Sequence, residues 1–112
     1  MQDLDTPMLI YVTVPDAALA AEIGRALVTE RLAACANVLG PVQSFYRWQG
    51  EVCDESEHVL IAKTTRARVE ALTARAVALH RASLPCVVAL PITGGHAPFL
   101  DWIGAETRGD EG

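Results

Sequence analysis

Between Ser44 and Thr65 the chain gathers side chains able to do chemistry: Tyr46, Trp48, Cys53, Glu57, His58 and the only lysine, Lys63. Outside that stretch stand Cys35, His80, Cys86 and His96. Thiolate and imidazole suit copper or zinc, so His80 and Cys86 make a candidate pair if the chain between them folds back. Their spacing of six residues matches no standard ligand motif. Cys35 follows a helical stretch, and a helix C-terminus disfavours the thiolate, so it reads as a buried structural thiol. In an extended segment Cys53, Glu55 and Glu57 face one side, and Asp54, Ser56 and His58 the other. Either set attracts a cation; a solvated polar hairpin explains both as well.

Tyr46 and Trp48 share one strand face with Ser44. With Lys63 on the returning strand they can line a pocket for a small anionic ligand, or they can pack a subunit interface. Glu57 is the expected salt-bridge partner of Lys63. His96 reads as a loop residue. No Ser-His-Asp ordering, phosphate-cradling glycine loop or His/Glu ligand motif is present, so no enzymatic activity is expected.

The elements that must position these groups follow from hydrophobic period and punctuation. Met8 to Val14 is an apolar run of the kind found in strands buried on both faces, ended by Pro15. Asp16 is a helix N-cap, and Leu19, Ala20, Ile23, Ala26 and Leu27 recur at helical spacing to about Arg31 or Leu32. A second strand runs from Ala33 to Trp48, with a bulge or bend expected at Gly40-Pro41. Gln49-Gly50 is a tight turn, and Glu51 to Thr65 returns as the third strand. Thr64 or Thr65 is expected to cap a second helix with a buried stripe of Val69, Leu72, Ala76 and Leu79. Cys86 to Ile92 is a last apolar strand, and Phe99 to Ala105 a short helix with Pro98 at its start.

This order, β-α-β-β-α-β plus a terminal helix, predicts an α+β ferredoxin-like domain with a long hairpin between its second and third strands. Both main helices must lie on one face of the sheet. The first and last strands in sequence are apolar on both sides, so the uncovered face is expected to be buried by another copy of the chain.

The 112 residues fit one domain spanning 1–112, with residues 1–7 and 108–112 expected to be mobile ends. A net charge of −5 and the lack of a basic cluster argue against nucleic acid. No apolar run approaches the ~20 residues of a membrane span, and the acidic start lacks the basic-then-apolar order expected of a signal peptide. Three cysteines without a CxxC spacing fit reduced thiols and a cytoplasmic location.

Several segments together resemble the CutA divalent-cation tolerance proteins. They are residues 12–16 (Val-Thr-Val-Pro-Asp), 31–38 (Arg-Leu-Ala-Ala-Cys-Ala-Asn-Val) and 44–50 (Ser-Phe-Tyr-Arg-Trp-Gln-Gly), with Glu57, Lys63-Thr64-Thr65 and 99–103 (Phe-Leu-Asp-Trp-Ile). The resemblance covers Met8 to Thr107. It implies a ferredoxin-like homotrimer in the bacterial cytoplasm, linked to the response to metal ions or to copper binding in clefts between subunits. It implies no established reaction and no required cofactor, with copper or another divalent metal as a possible ligand.

On this resemblance Cys35, Tyr46, Trp48, Glu57, Lys63 and Cys86 are cleft or interface candidates, and His80 is the one metal candidate carried over. The family's usual His-Pro-Tyr-Glu-x-Pro-Glu is here His80-Arg81-Ala82-Ser83-Leu84-Pro85-Cys86. Val12 stands where some members have a ligating Cys, and Leu79 where some have a second His. The alternative is a PII-like signalling trimer binding a small anion or nucleotide and a protein partner, against which the lack of a long effector loop weighs.

Overall fold

Strand alternation sets the core. A computed structural model of the chain describes residues 3–108. In β1 (Pro7–Val14), Met8, Ile10, Val12 and Val14 are buried, while Leu9, Tyr11 and Thr13 point to the other face. The remaining elements are α1 (Ala17–Thr29), β2 (Cys35–Trp48), β3 (Glu51–Thr65), α2 (Val69–Leu79), β4 (Cys86–Pro91) and α3 (Ala97–Glu106). The four strands form one antiparallel sheet in the order β2-β3-β1-β4.

Leu19, Ile23 and Leu27 of α1 and Leu72 and Ala76 of α2 join the buried side chains of β1 with Leu60 and Ala62 of β3. Both helices therefore pack on one face. Val69 and Leu79 complete the stripe of α2 as half-buried contacts. α3 lies against β1 and β3 through the fully buried Ile103.

Local signals explain most boundaries. Asp16 caps α1, its Oδ1 accepting from the Leu19 N–H at 2.8 Å. α1 stops at Thr29, short of the expected Arg31 or Leu32, because Arg31 turns into the left-handed region (φ 60°). The N–H groups of Leu32 and Ala33 then bond back to the Leu27 carbonyl. The expected bulge is present: the β2–β3 register shifts between Leu39 and Val42, around a cis Gly40–Pro41 peptide.

The cap of the second helix differs from expectation. A 3-10 turn (Arg66–Arg68) precedes α2, and neither Thr65 nor Arg68 makes a side-chain cap. Thr64 instead donates its hydroxyl to the Leu32 carbonyl at 2.7 Å, tying β3 to the chain leaving α1. Its place on the buried face of β3 turns the side chain inward, away from the helix that follows.

The start of the chain is partly tied down: the Leu4 and Thr6 carbonyls accept from the Ala67 and Arg66 N–H groups. Residues 1–2 and 109–112, where free ends were expected, lie outside the described residues. At the other end, Arg31 donates to the Glu106 carbonyl (3.2 Å) and Arg68 to that of Thr107 (2.6 Å). Two guanidinium groups thus cap the last carbonyls of α3.

Candidate functional site

The body and the hairpin share one strand. β3 pairs with β1 only from His58 to Thr65, whereas its earlier half, Glu51 to Glu57, pairs with β2 alone. Val42–Trp48 and Glu51–Glu57 therefore form a two-stranded arm projecting from the sheet. A two-stranded hairpin buries little by itself. Phe45 and Val52 on one side of the arm, and Tyr46 and Trp48 on the other, are all exposed.

Cross-strand partners share a face, so the register tells which groups meet. Cys35 pairs with Lys63, Tyr46 with Cys53 and Trp48 with Glu51, while Thr13 pairs with Cys86. By alternation, Tyr46, Trp48, Glu57, Lys63, Cys35 and Cys86 all lie on the face away from α1 and α2. That face also carries Leu9, Tyr11, Ile61, Val88 and Leu90, the last two 50% and 49% exposed. It is an open apolar surface with the chemistry-bearing groups at its two ends.

At one end, the inner side of the arm and the loop before β4 enclose a cleft of about 820 Å³. Tyr46, Trp48, Glu57, His80 and Cys86 all line it, so five of the seven cleft, interface and metal candidates come together. Cys35 and Lys63 do not. They sit at the far end of the face, where Lys63 Nζ donates to Asn37 Oδ1 at 3.0 Å and lies 3.9 Å from Cys35 Sγ. Cys35 is half-buried with the Lys63 ammonium beside it, a neighbour that the sequence reading did not place there.

Two expected pairings are corrected. Lys63 does not bridge to Glu57, because the two are six residues apart on one extended strand, about 20 Å at ~3.3 Å per residue. Nor does Lys63 join Tyr46 and Trp48 in a pocket within one chain. The register places it opposite Cys35, not opposite the aromatic end of β2.

His80 fares worse as a metal ligand than its position suggests. The Ala82 N–H donates to Nδ1 at 3.1 Å, and Nε2 lies 2.7 Å from the Thr13 carbonyl. A neutral ring with its proton on Nε2 satisfies both contacts, leaving no lone pair for a metal. Its imidazole braces the loop against β1. Among the described residues no three His, Cys, Asp or Glu side chains cluster as a metal site. Within one chain the described residues therefore offer no ready set of donors for copper.

Sequence reasoning missed Asn37, the partner of Lys63, and the part played by Glu55. Tyr46 donates its hydroxyl to Glu55 Oε1 at 2.5 Å. That bond, with a smaller effect of burial, pushes the phenol from 10.0 up to about 12. Both partners become visible only with the β2–β3 register, which the bulge shifts and no sequence motif reveals.

A four-stranded antiparallel sheet with two helices on one face, an open apolar face and a projecting arm defines the class: a small α+β protein. The profile of the CutA1 divalent ion tolerance protein family matches residues 8–106, and the chain belongs to that family. It is 44% identical over 99 residues to the divalent-cation tolerance protein CutA of Thermus thermophilus, covering 88% of this chain and 96% of that relative. It is 41% identical over 101 residues to the chloroplastic protein CutA of Arabidopsis thaliana, covering 90% of this chain but only 56% of that relative. The crystal structure of CutA from Xylella fastidiosa superposes with a TM-score of 0.88 at 40% identity, over 91% of this chain and 98% of that one. These matches give the PII-like alternative no support. The chloroplastic relative shows that family membership does not fix a compartment. No helix among the described residues is long and apolar enough to cross a membrane.

Proposed function

We propose that the protein serves divalent-cation tolerance as a homotrimer in the cytoplasm, without catalysing a reaction, and that the cleft beside its arm takes a small ligand. The observation that carries this reading is the open sheet face, where Tyr11 of β1 stands exposed beside its partner Val88 of β4, with Leu90 two residues on along β4. An apolar surface that continuous is covered in water, and a second and third copy of the chain are the partners always at hand. A cleft of about 820 Å³ lies within the ~300–1,000 Å³ of small-ligand sites. Its aromatic rings suit a planar or apolar group, and Glu57 and Arg81 suit polar ones.

Copper binding, the finer expectation, has no ready donor in His80. It requires the loop to release the Thr13 and Ala82 contacts, or donors from more than one copy.

Sedimentation at micromolar concentration tests the assembly, with a trimer expected; a stable monomer overturns the proposal. Native mass spectrometry with copper(II) and zinc(II) added in turn tests the ligand. With both His80 nitrogens engaged, His80→Ala is expected to keep whatever copper the wild type retains. Copper lost in His80→Ala alone would show that the loop opens to bind it.

A further inference from the structure

Cys35 and Lys63 face each other across β2 and β3 as a cross-strand pair. Lys63 Nζ donates to Asn37 Oδ1 at 3.0 Å, and that bond holds the amine 3.9 Å from Cys35 Sγ. The chain has three cysteines and one lysine, and the lysine stands beside this cysteine. Neither group is committed elsewhere. Lys63 makes no ion pair among the described residues, and Cys35 is a free thiol. Both are half-buried, which admits a small oxidant more readily than a protein thiol. Peroxide oxidises the thiolate, and a cation beside the sulfur is the neighbour that favours this reaction.

We propose that Cys35 and Lys63 form a reversible covalent link within one chain, a sulfenamide closed by hydrogen peroxide and opened by thiols. In the first step the Cys35 sulfur takes one oxygen from peroxide, giving a sulfenic acid and releasing water. In the second, the free-base amine of Lys63 attacks that sulfur, and the S–N bond forms as the S–O bond breaks. The departing hydroxide and one amine proton leave as a second water. Sulfur is oxidised by two electrons, peroxide is reduced by two, and nothing else is consumed. An external thiol reverses the link by attacking the sulfur and freeing the amine; a second thiol then returns Cys35 to its reduced form. Release of the Asn37 bond and rotation of lysine's flexible four-carbon stem close the remaining gap. The link spares Cys35 the irreversible steps to sulfinic and sulfonic acid. It also removes the one lysine charge from the open face and ties the edge strand β2 to β3. Both groups belong to one chain, so the inference goes beyond the tolerance reading above and does not depend on it.

The test treats the full chain, without added metal, with hydrogen peroxide at neutral pH, then blocks free thiols and digests it. Mass spectrometry is expected to find the peptides carrying Cys35 and Lys63 joined, two hydrogens lighter than their sum. Dithiothreitol is expected to part them. Lys63→Arg keeps a cation without a free amine, so the joined peptide is expected to vanish and Cys35 to run on to sulfinic acid. The double variant Cys53→Ser, Cys86→Ser is expected to form the link as wild type does. Wild-type Cys35 that stays a free thiol while Cys53 and Cys86 oxidise overturns the inference. So does Cys35 that reaches sulfinic acid as fast in wild type as in Lys63→Arg, or that ends in a disulfide with another cysteine.

Discussion

The two faces of this sheet are made by the same strands and have opposite fates. Along β3, Leu60, Ala62 and Thr64 are fully buried under α1 and α2, while Ile61 and Lys63, one residue out of phase, remain half-exposed. The buried face is satisfied within one chain; the open one holds the apolar row, the lone lysine and the mouth of the cleft. Stability and function are thus separated by the parity of residue number more than by distance along the chain. The alternation is clean from Leu60 to Thr64; Val59 and Thr65, in the outward phase, are themselves buried at 4% and 6% exposed.

The largest test of that division is Leu60→Ala. Truncating a fully buried leucine is expected to cost about 2–5 kcal/mol of protomer stability in urea denaturation. The matching change on the open face, Val88→Ala, is expected to leave the stability of the single chain within ~0.5 kcal/mol and to weaken the proposed self-association in sedimentation. Equal losses of folding stability at both sites would break the comparison.

Gly40→Ala sharpens it at the point where the sheet passes into the arm. Gly40 holds φ at 142°, and an added Cβ would lie 2.8 Å from His58 Cδ2. A cost of about 1–3 kcal/mol is expected, with a distorted arm and weaker assembly. An unchanged melting curve would show that the bulge relaxes freely.

The smallest effect is a titration. Tyr46 is expected to ionise near 12, and not at 10.0, because its hydroxyl donates a hydrogen bond to the Glu55 carboxylate, whose negative charge also disfavours a phenolate beside it. The phenol is raised, so its contribution to stability is present below pH 10 and lost as pH rises from 10 toward about 12. Ultraviolet absorbance of wild type minus Tyr46→Phe isolates the phenolate; an ordinary midpoint would show that the arm does not hold this bond in solution.

Much of the fold was legible because period and punctuation agreed. The apolar run of β1, the Asp16 cap and the Gln49-Gly50 turn all sit where their residue types require. Thr65 misled for a local reason: a cap-forming residue was followed by a 3-10 turn, which moved the start of α2 beyond its reach. The site was legible as a set of residues but not as a set of contacts. Alternation places Glu57 and Lys63 on one face, yet their separation along β3 forbids the bridge that chemistry suggested. The two hydrogen bonds of His80 depend on the path of a loop, which no periodicity describes.

The uninterrupted run of β3 over 15 residues has a genetic consequence. Because one strand serves both arm and body, it behaves like a reading frame. Deleting a single residue between Glu57 and Lys63 would swap the faces of everything on one side of the lesion. Core leucines would turn to solvent, or the arm would reverse its chemistry. Losing two residues would keep the phase and only shorten the span between the charges. β2 has a place to absorb such a slip, at its bulge; β3 has none. Length variation in this protein is therefore expected in pairs of residues within β3, and singly only across the strand it faces.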